Sequence, residues 1–182
     1  MSVVAVSGSL SNPSRTTTLA EIVAGRLADA LSAQWHSVSV ADHGAALGAA
    51  LSLAQLPAAV AAQYEAVFEA SVLVVATPVY KASYTGLLKH FFDLIDPKKL
   101  HGKVIVLAAT GGNDQHSLVI EHQLRPLFGF FGAFTVPTGL YLKDSDFSKD
   151  ELSKTYALTS ADAFARIDVA VAQAQRLLAA RA

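Results

Sequence analysis

The chain has 182 residues, 52% of them hydrophobic and 16% charged, which excludes a disordered or polyelectrolyte protein. With 14 Lys+Arg against 15 Asp+Glu the formal charge is −1, so no broad basic surface is available to neutralise a nucleic-acid backbone. Cysteine is absent, which removes disulfides, thiolate metal sites and a cysteine nucleophile.

This length suits one domain, taken here as residues 1–182. No apolar run approaches the roughly 20 residues of a membrane span. The N-terminus carries no Lys or Arg before Arg15, unlike a secretory signal. A soluble, cytoplasmic protein without membrane or nucleic-acid partners is expected.

The first predicted strand, residues 3–6, is an unbroken run of Val and Ala, apolar on both faces as a buried parallel strand requires. It leads into Ser7-Gly8-Ser9-Leu10-Ser11-Asn12-Pro13-Ser14-Arg15-Thr16-Thr17-Thr18, dense in hydroxyls with one Arg, and then into a helix over 17–31. Hydroxyl donors, a guanidinium and the N–H groups of a helix start are what a phosphate needs. Neither the Walker pattern nor Gly-x-Gly-x-x-Gly is present, so a monophosphate fits better than a pyrophosphate. The same Ser and Thr residues also suit plain helix capping.

A second strand is predicted at 35–40, where Trp35, Ser37 and Ser39 alternate with His36, Val38 and Val40. Residues 42–57 read as a loose surface or interface loop, followed by a weak helix over 58–69. The third strand, 72–76, ends in Thr77-Pro78-Val79-Tyr80-Lys81-Ala82-Ser83-Tyr84-Thr85-Gly86 and a helix over 85–94. Pro78 holds Thr77 extended and closes the strand. Tyr80 and Tyr84 suit either the flanks of a planar ligand or a packed interface.

The fourth strand, 104–109, runs into Thr110-Gly111-Gly112-Asn113, where the glycines mark a close backbone approach or an ordinary tight turn. In the next helix, 118–131, Pro126 has no N–H for the carbonyl of His122, so a local widening or kink is predicted there. His122 and His116 lack the spacing of a metal pair, and no metal site is expected. A fifth strand is predicted at 134–136, running into Pro137; 143–155 reads as a loop. A terminal helix over 160–181 has an apolar face of Phe164, Ile167, Val171, Ala174 and Leu178. Phe91, Phe92, Leu94, Ile95, Phe128, Phe130 and Phe131 exceed what one sheet face needs. Most should be core, and the excess points to subunit contact.

Strands alternating with helices predict an α/β fold with helices on both faces of a parallel sheet. Ligands of such sheets sit at the carboxyl ends of the strands, where the loops after the first, third and fourth strands converge.

Those three loops, Gly8-Ser9 with Ser14-Arg15-Thr16-Thr17-Thr18, then the block 76–89, then Ala109-Thr110-Gly111-Gly112, resemble the flavodoxin-like NAD(P)H-dependent FMN reductases. The similarity covers residues 2–140 and is strongest toward the reductase components of two-component alkanesulfonate and methanesulfonate monooxygenases. The resemblance implies a doubly wound five-stranded sheet in the order 2-1-3-4-5. It implies an FMN phosphate bonded by Ser9, Ser14, Arg15 and Thr17. Pro78, Val79 and Tyr80 would follow the isoalloxazine edge, and Gly111 and Gly112 its pyrimidine end, with Thr16, Lys81 and Thr110 also among the binding residues. The flavin would carry the hydride chemistry from NADH or NADPH, with no catalytic side chain. The resemblance further implies a tetramer built as a dimer of dimers, a π-helix at His122 and Pro126 tied to flavin release, and delivery of FMNH2 to a sulfonate monooxygenase. An FMN-retaining quinone or azo reductase and a flavodoxin-like electron carrier stay open as alternatives.

Overall fold

A computed structural model describes residues 1–181. The chain opens on β1 (Ser2–Ser7), passes through α1 (Arg15–Leu31) to β2 (Gln34–Ser39), and continues through α2 (Gly44–Ala49) and α3 (Ala58–Glu69). β3 (Val72–Pro78), α4 (Gly86–Asp93) and β4 (Val104–Gly111) follow. A π-helical turn, Ile120–Leu124, then runs directly into α5 (Arg125–Phe130). The remaining elements are β5 (Phe134–Thr135), β6 (Leu140–Lys143), β7 (Phe147–Lys149), β8 (Tyr156–Leu158) and α6 (Ala161–Ala179).

The main sheet has the order β2-β1-β3-β4-β5, with every pair parallel. This is the flavodoxin-type doubly wound order. The apolar runs of β1, β3 and β4 are buried on both faces. Val4, Val6, Leu73, Val75, Ile105 and Leu107 face a core closed by α3, α4 and α5. Val3, Ala5, Val72, Val74, Val104 and Val106 face a second core closed by α1 and α6. β2 is the edge strand, and its alternation buries Val38 while leaving Trp35 41% exposed.

Three helix starts follow from their capping side chains. Ser14 Oγ accepts from the Thr17 amide at 3.3 Å, Thr85 Oγ1 from Leu88 at 3.4 Å, and Ser160 Oγ from Ala163 at 3.2 Å.

The structure revises three expectations. The fifth strand position is filled twice: β5 pairs with Val104 and Ile105, and β6 resumes beside residues 108–111 of β4. The buried Val136 still donates its amide to the Ile105 carbonyl at 2.9 Å, Pro137 cannot donate to the ladder, and pairing restarts at Leu140. Segment 42–57 is partly helical and is fastened to α4, because His90 Nε2 lies 2.9 Å from both the Leu47 and Ala50 carbonyls. Segment 143–155 holds β7, which pairs antiparallel with β8. Its three-residue strands are too short to show alternation in the sequence. The expectation that most of the large apolar residues of α4 and α5 are core holds: Phe91, Phe92, Ile95, Phe128 and Phe131 are buried, whereas Phe130 is 73% exposed.

Candidate functional site

The loops after β1, β3 and β4 meet at one end of the sheet and enclose a cleft of about 230 Å³. The first loop is tied together by its own hydroxyls. Ser7 Oγ and Thr17 Oγ1 are 2.8 Å apart, and Ser9 Oγ donates to the Ser11 carbonyl at 3.1 Å. Gly8 lies so close to α4 that a Cβ there would come within 2.8 Å of Leu88 Cδ2. Its amide donates to the Ala76 carbonyl at 2.7 Å, and its carbonyl accepts from Thr85 Oγ1 at 2.7 Å. A buried Thr16–Thr110 hydroxyl pair at 2.6 Å joins the first loop to the third.

The second loop is tied to the third by the Val79 amide, which donates to the Thr110 carbonyl at 2.9 Å. It then turns through Lys81 and Ala82, at φ 51° and 68°, while Tyr80 and Ser83 exchange backbone hydrogen bonds of 2.8 and 3.1 Å. Positive φ at two successive non-glycine residues strains the backbone and makes a tight hairpin-type turn. Tyr80 faces the cleft; Tyr84 packs against the core beneath it.

In the third loop the two glycines differ. A Cβ on Gly111 would stand 2.2 Å from the Tyr141 hydroxyl, whereas one on Gly112 would meet no protein atom within 4 Å. The Tyr141 hydroxyl donates to the Asn113 carbonyl at 2.5 Å. Burial, followed by the charges of Asp114 and Asp144, raises its pKa. Gly111 is thus required by the protein's own packing, and Gly112 leaves backbone bare toward the cleft.

The Arg15 guanidinium stands at the cleft wall. Its Nη1 is 3.4 Å from Asp144 Oδ1, its Cζ lies 4.6 Å from the Tyr156 ring centroid, and its Nε is buried without a hydrogen-bond partner. A buried N–H left unpaired is costly unless something else accepts from it. This orphan donor and the open face of Gly112 are what an anionic, flat-ended ligand such as FMN would occupy, so the residues present fit the flavin.

Ser9, Ser14, Arg15, Thr16, Pro78, Val79, Tyr80, Thr110, Gly111 and Gly112 all line this cleft. Thr17 instead lines a neighbouring hollow of about 300 Å³ across the first loop, with Glu21, Ser37, Ser39 and Asp42. Lys81 sits on the exposed turn, outside the lining of either hollow. Sequence reasoning missed Asp144, Tyr156 and Tyr141. All three stand on the β6–β8 segment, where nothing local announces a site.

His122 lies in the π turn and is exposed, as is Pro126 just beyond it. The π bond runs from the Arg125 amide to the Ile120 carbonyl. Gln123 Oε1 accepts from Ser83 Oγ at 3.1 Å, so this turn touches the strained second loop.

The model of the NADPH-dependent FMN reductase family matches residues 1–147. The chain belongs to this family. It is 45% identical to an NADH-dependent FMN reductase, SfnF, of Pseudomonas fluorescens, over 97% of this chain and 91% of that one. It is 43% identical to an NADPH-dependent FMN reductase of Pseudomonas aeruginosa, over 98% and 93%. Among solved structures, an NADH:FMN oxidoreductase called EMOB, in its apo form, superposes with a TM-score of 0.80 at 32% identity, covering 96% of this chain and 88% of that one. The protein is an oxidoreductase that acts on FMN with NADH or NADPH. No helix among the described residues is long and apolar enough to cross a membrane.

Proposed function

We propose that this protein reduces FMN as an exchangeable substrate and supplies FMNH2 to a separate flavin-dependent monooxygenase that desulfonates methane- or alkanesulfonates in sulfur assimilation. In this reading the phosphate rests on Ser9, Ser14, Thr16 and Arg15 at the start of α1. The flat ring system follows Pro78, Val79 and Tyr80 toward Gly111 and Gly112. Bound FMN accepts hydride from the nicotinamide, and the chain's own part is to orient it with main-chain donors and hydroxyls.

The observation that carries exchange, rather than retention, is the charge of the cleft. Among the described residues that line it, one cation, Arg15, is set against one anion, Asp144. A phosphate monoester of about −2 therefore meets no net positive charge. In this reading the enzyme is a cytoplasmic homotetramer, a dimer of dimers with His122 and Pro126 at a subunit contact, and exposed Leu118 and Phe130, at 60% and 73%, support a subunit contact beside the π turn.

Steady-state oxidation of NADH and NADPH with added FMN tests this. Saturable dependence on free FMN, together with sulfite release when a sulfonate monooxygenase and its sulfonate are added, is the expected result. Full turnover of a quinone or azo dye with flavin only at enzyme concentration would favour an FMN-retaining reductase. Flavin binding without oxidation of either nucleotide would leave an electron carrier.

A further inference from the structure

Arg15 is the first residue of α1, so its position is set by the helix that presents the phosphate-type donors. Its guanidinium does not point into open solvent. It is faced by Asp144 at 3.4 Å and covered by the Tyr156 ring at 4.6 Å. Asp144 is held there by its own turn, in which Asp146 Oδ2 accepts from the Lys143 amide at 2.7 Å. The adjacent cation, Lys143, is engaged elsewhere, on Asp114 at 3.1 Å. Asp144 therefore answers to Arg15, and both line the cleft.

Resting on the reading of this cleft as the FMN site, we propose that Asp144 is a built-in competitor of the flavin phosphate. Its carboxylate and the phosphate draw on the same guanidinium, and it sets how readily FMN leaves. A carboxylate beside an incoming dianion weakens binding twice, by repulsion and by occupying the donor the dianion needs. A reductase that hands its product to another enzyme gains from a site that releases. Asp144 is a positioning and affinity-setting residue, not a catalytic one, and the Tyr156 ring, 4.6 Å from the guanidinium carbon, helps hold the group that the two anions share.

The test compares FMN with riboflavin, which lacks the phosphate, by quenching of flavin fluorescence on titration with protein. Asp144→Asn should lower the dissociation constant of FMN by about fivefold, the scale of a half-exposed charge pair, and leave that of riboflavin unchanged. Asp144→Ser should act in the same direction. In an Arg15→Ala background the gain should shrink, since the shared guanidinium is gone. The inference is overturned if FMN affinity is unchanged or weaker in both Asp144 variants, or if riboflavin gains as much as FMN. If the unaltered protein binds neither flavin, the reading of the site falls and the inference falls with it.

Discussion

At the scale of single residues, the Gly111-Gly112 pair separates packing from binding. Gly111→Ala forces its new methyl against the Tyr141 hydroxyl, already committed to the Asn113 carbonyl. It should cost roughly 1–3 kcal/mol of stability and raise the KM for FMN as well. Gly112→Val adds a side chain where no protein atom lies within 4 Å, so its melting temperature should match that of the unaltered protein while its FMN affinity falls at least tenfold. Thermal melts beside flavin titrations of the two variants check this; equal FMN affinity in Gly112→Val would remove that glycine from the site. The first-loop residues were legible in the sequence because their chemistry is local: hydroxyls, one guanidinium and a helix start lie within twelve positions. Asp144 and Tyr156 were not, because they reach Arg15 from more than 125 residues away and only tertiary packing brings them there.

At the scale of elements, the break in the fifth strand and the π turn are two sides of one device. Arg125, the residue after the π turn, donates to Thr135 Oγ1 at 2.8 Å and to the Val136 and Pro137 carbonyls at 3.1 Å each. It also grips both carboxylate oxygens of Glu121, at 2.6 and 2.8 Å, and this contact holds the Glu121 carboxyl below its ordinary pKa. One side chain thus satisfies the carbonyls that the interrupted strand leaves without ladder partners. Arg125→Ala should cost about 2–3 kcal/mol through those orphaned acceptors, read as a lower urea midpoint. Arg125→Lys should recover at most half, because a single ammonium cannot serve a carboxylate and a row of carbonyls together. Pro126 made the helix irregularity legible in the sequence. The resumed strand β6 was not legible, since Pro137 looks like an end and its repair is carried by a side chain from another element.

At the scale of the whole molecule, strand-helix alternation made a parallel sheet between helix layers legible, its order was implied by the resemblance to the flavodoxin-like reductases, and which large aromatic would stay exposed was visible in neither. An amphipathic count assumes one buried face per helix. Here α4 and α5 also pack on each other: Phe92 meets Phe128 edge-on at 4.9 Å, and Phe91 stacks on Tyr64 of α3 at 4.2 Å. Tyr64 is the polar member of this cluster. It is 1% exposed, its hydroxyl donates to the Phe91 carbonyl at 3.1 Å, and burial pushes its pKa well above the usual tyrosine value of 10.0. A phenol whose folded pKa is raised leaves stability untouched below the unfolded pKa and removes it as pH climbs from there toward the folded value. Global stability should therefore decline with rising pH from about 10 upward, because the unfolded chain ionises this phenol while the folded chain resists. Tyr64→Phe takes out that ionisation but strands the Phe91 carbonyl, so it should be less stable by about 1 kcal/mol at pH 7 and lose less than the unaltered protein between pH 10 and 12. Urea unfolding at pH 7, 10 and 11.5 measures both, and parallel pH profiles for the two proteins would show that the buried phenol does not govern alkaline unfolding.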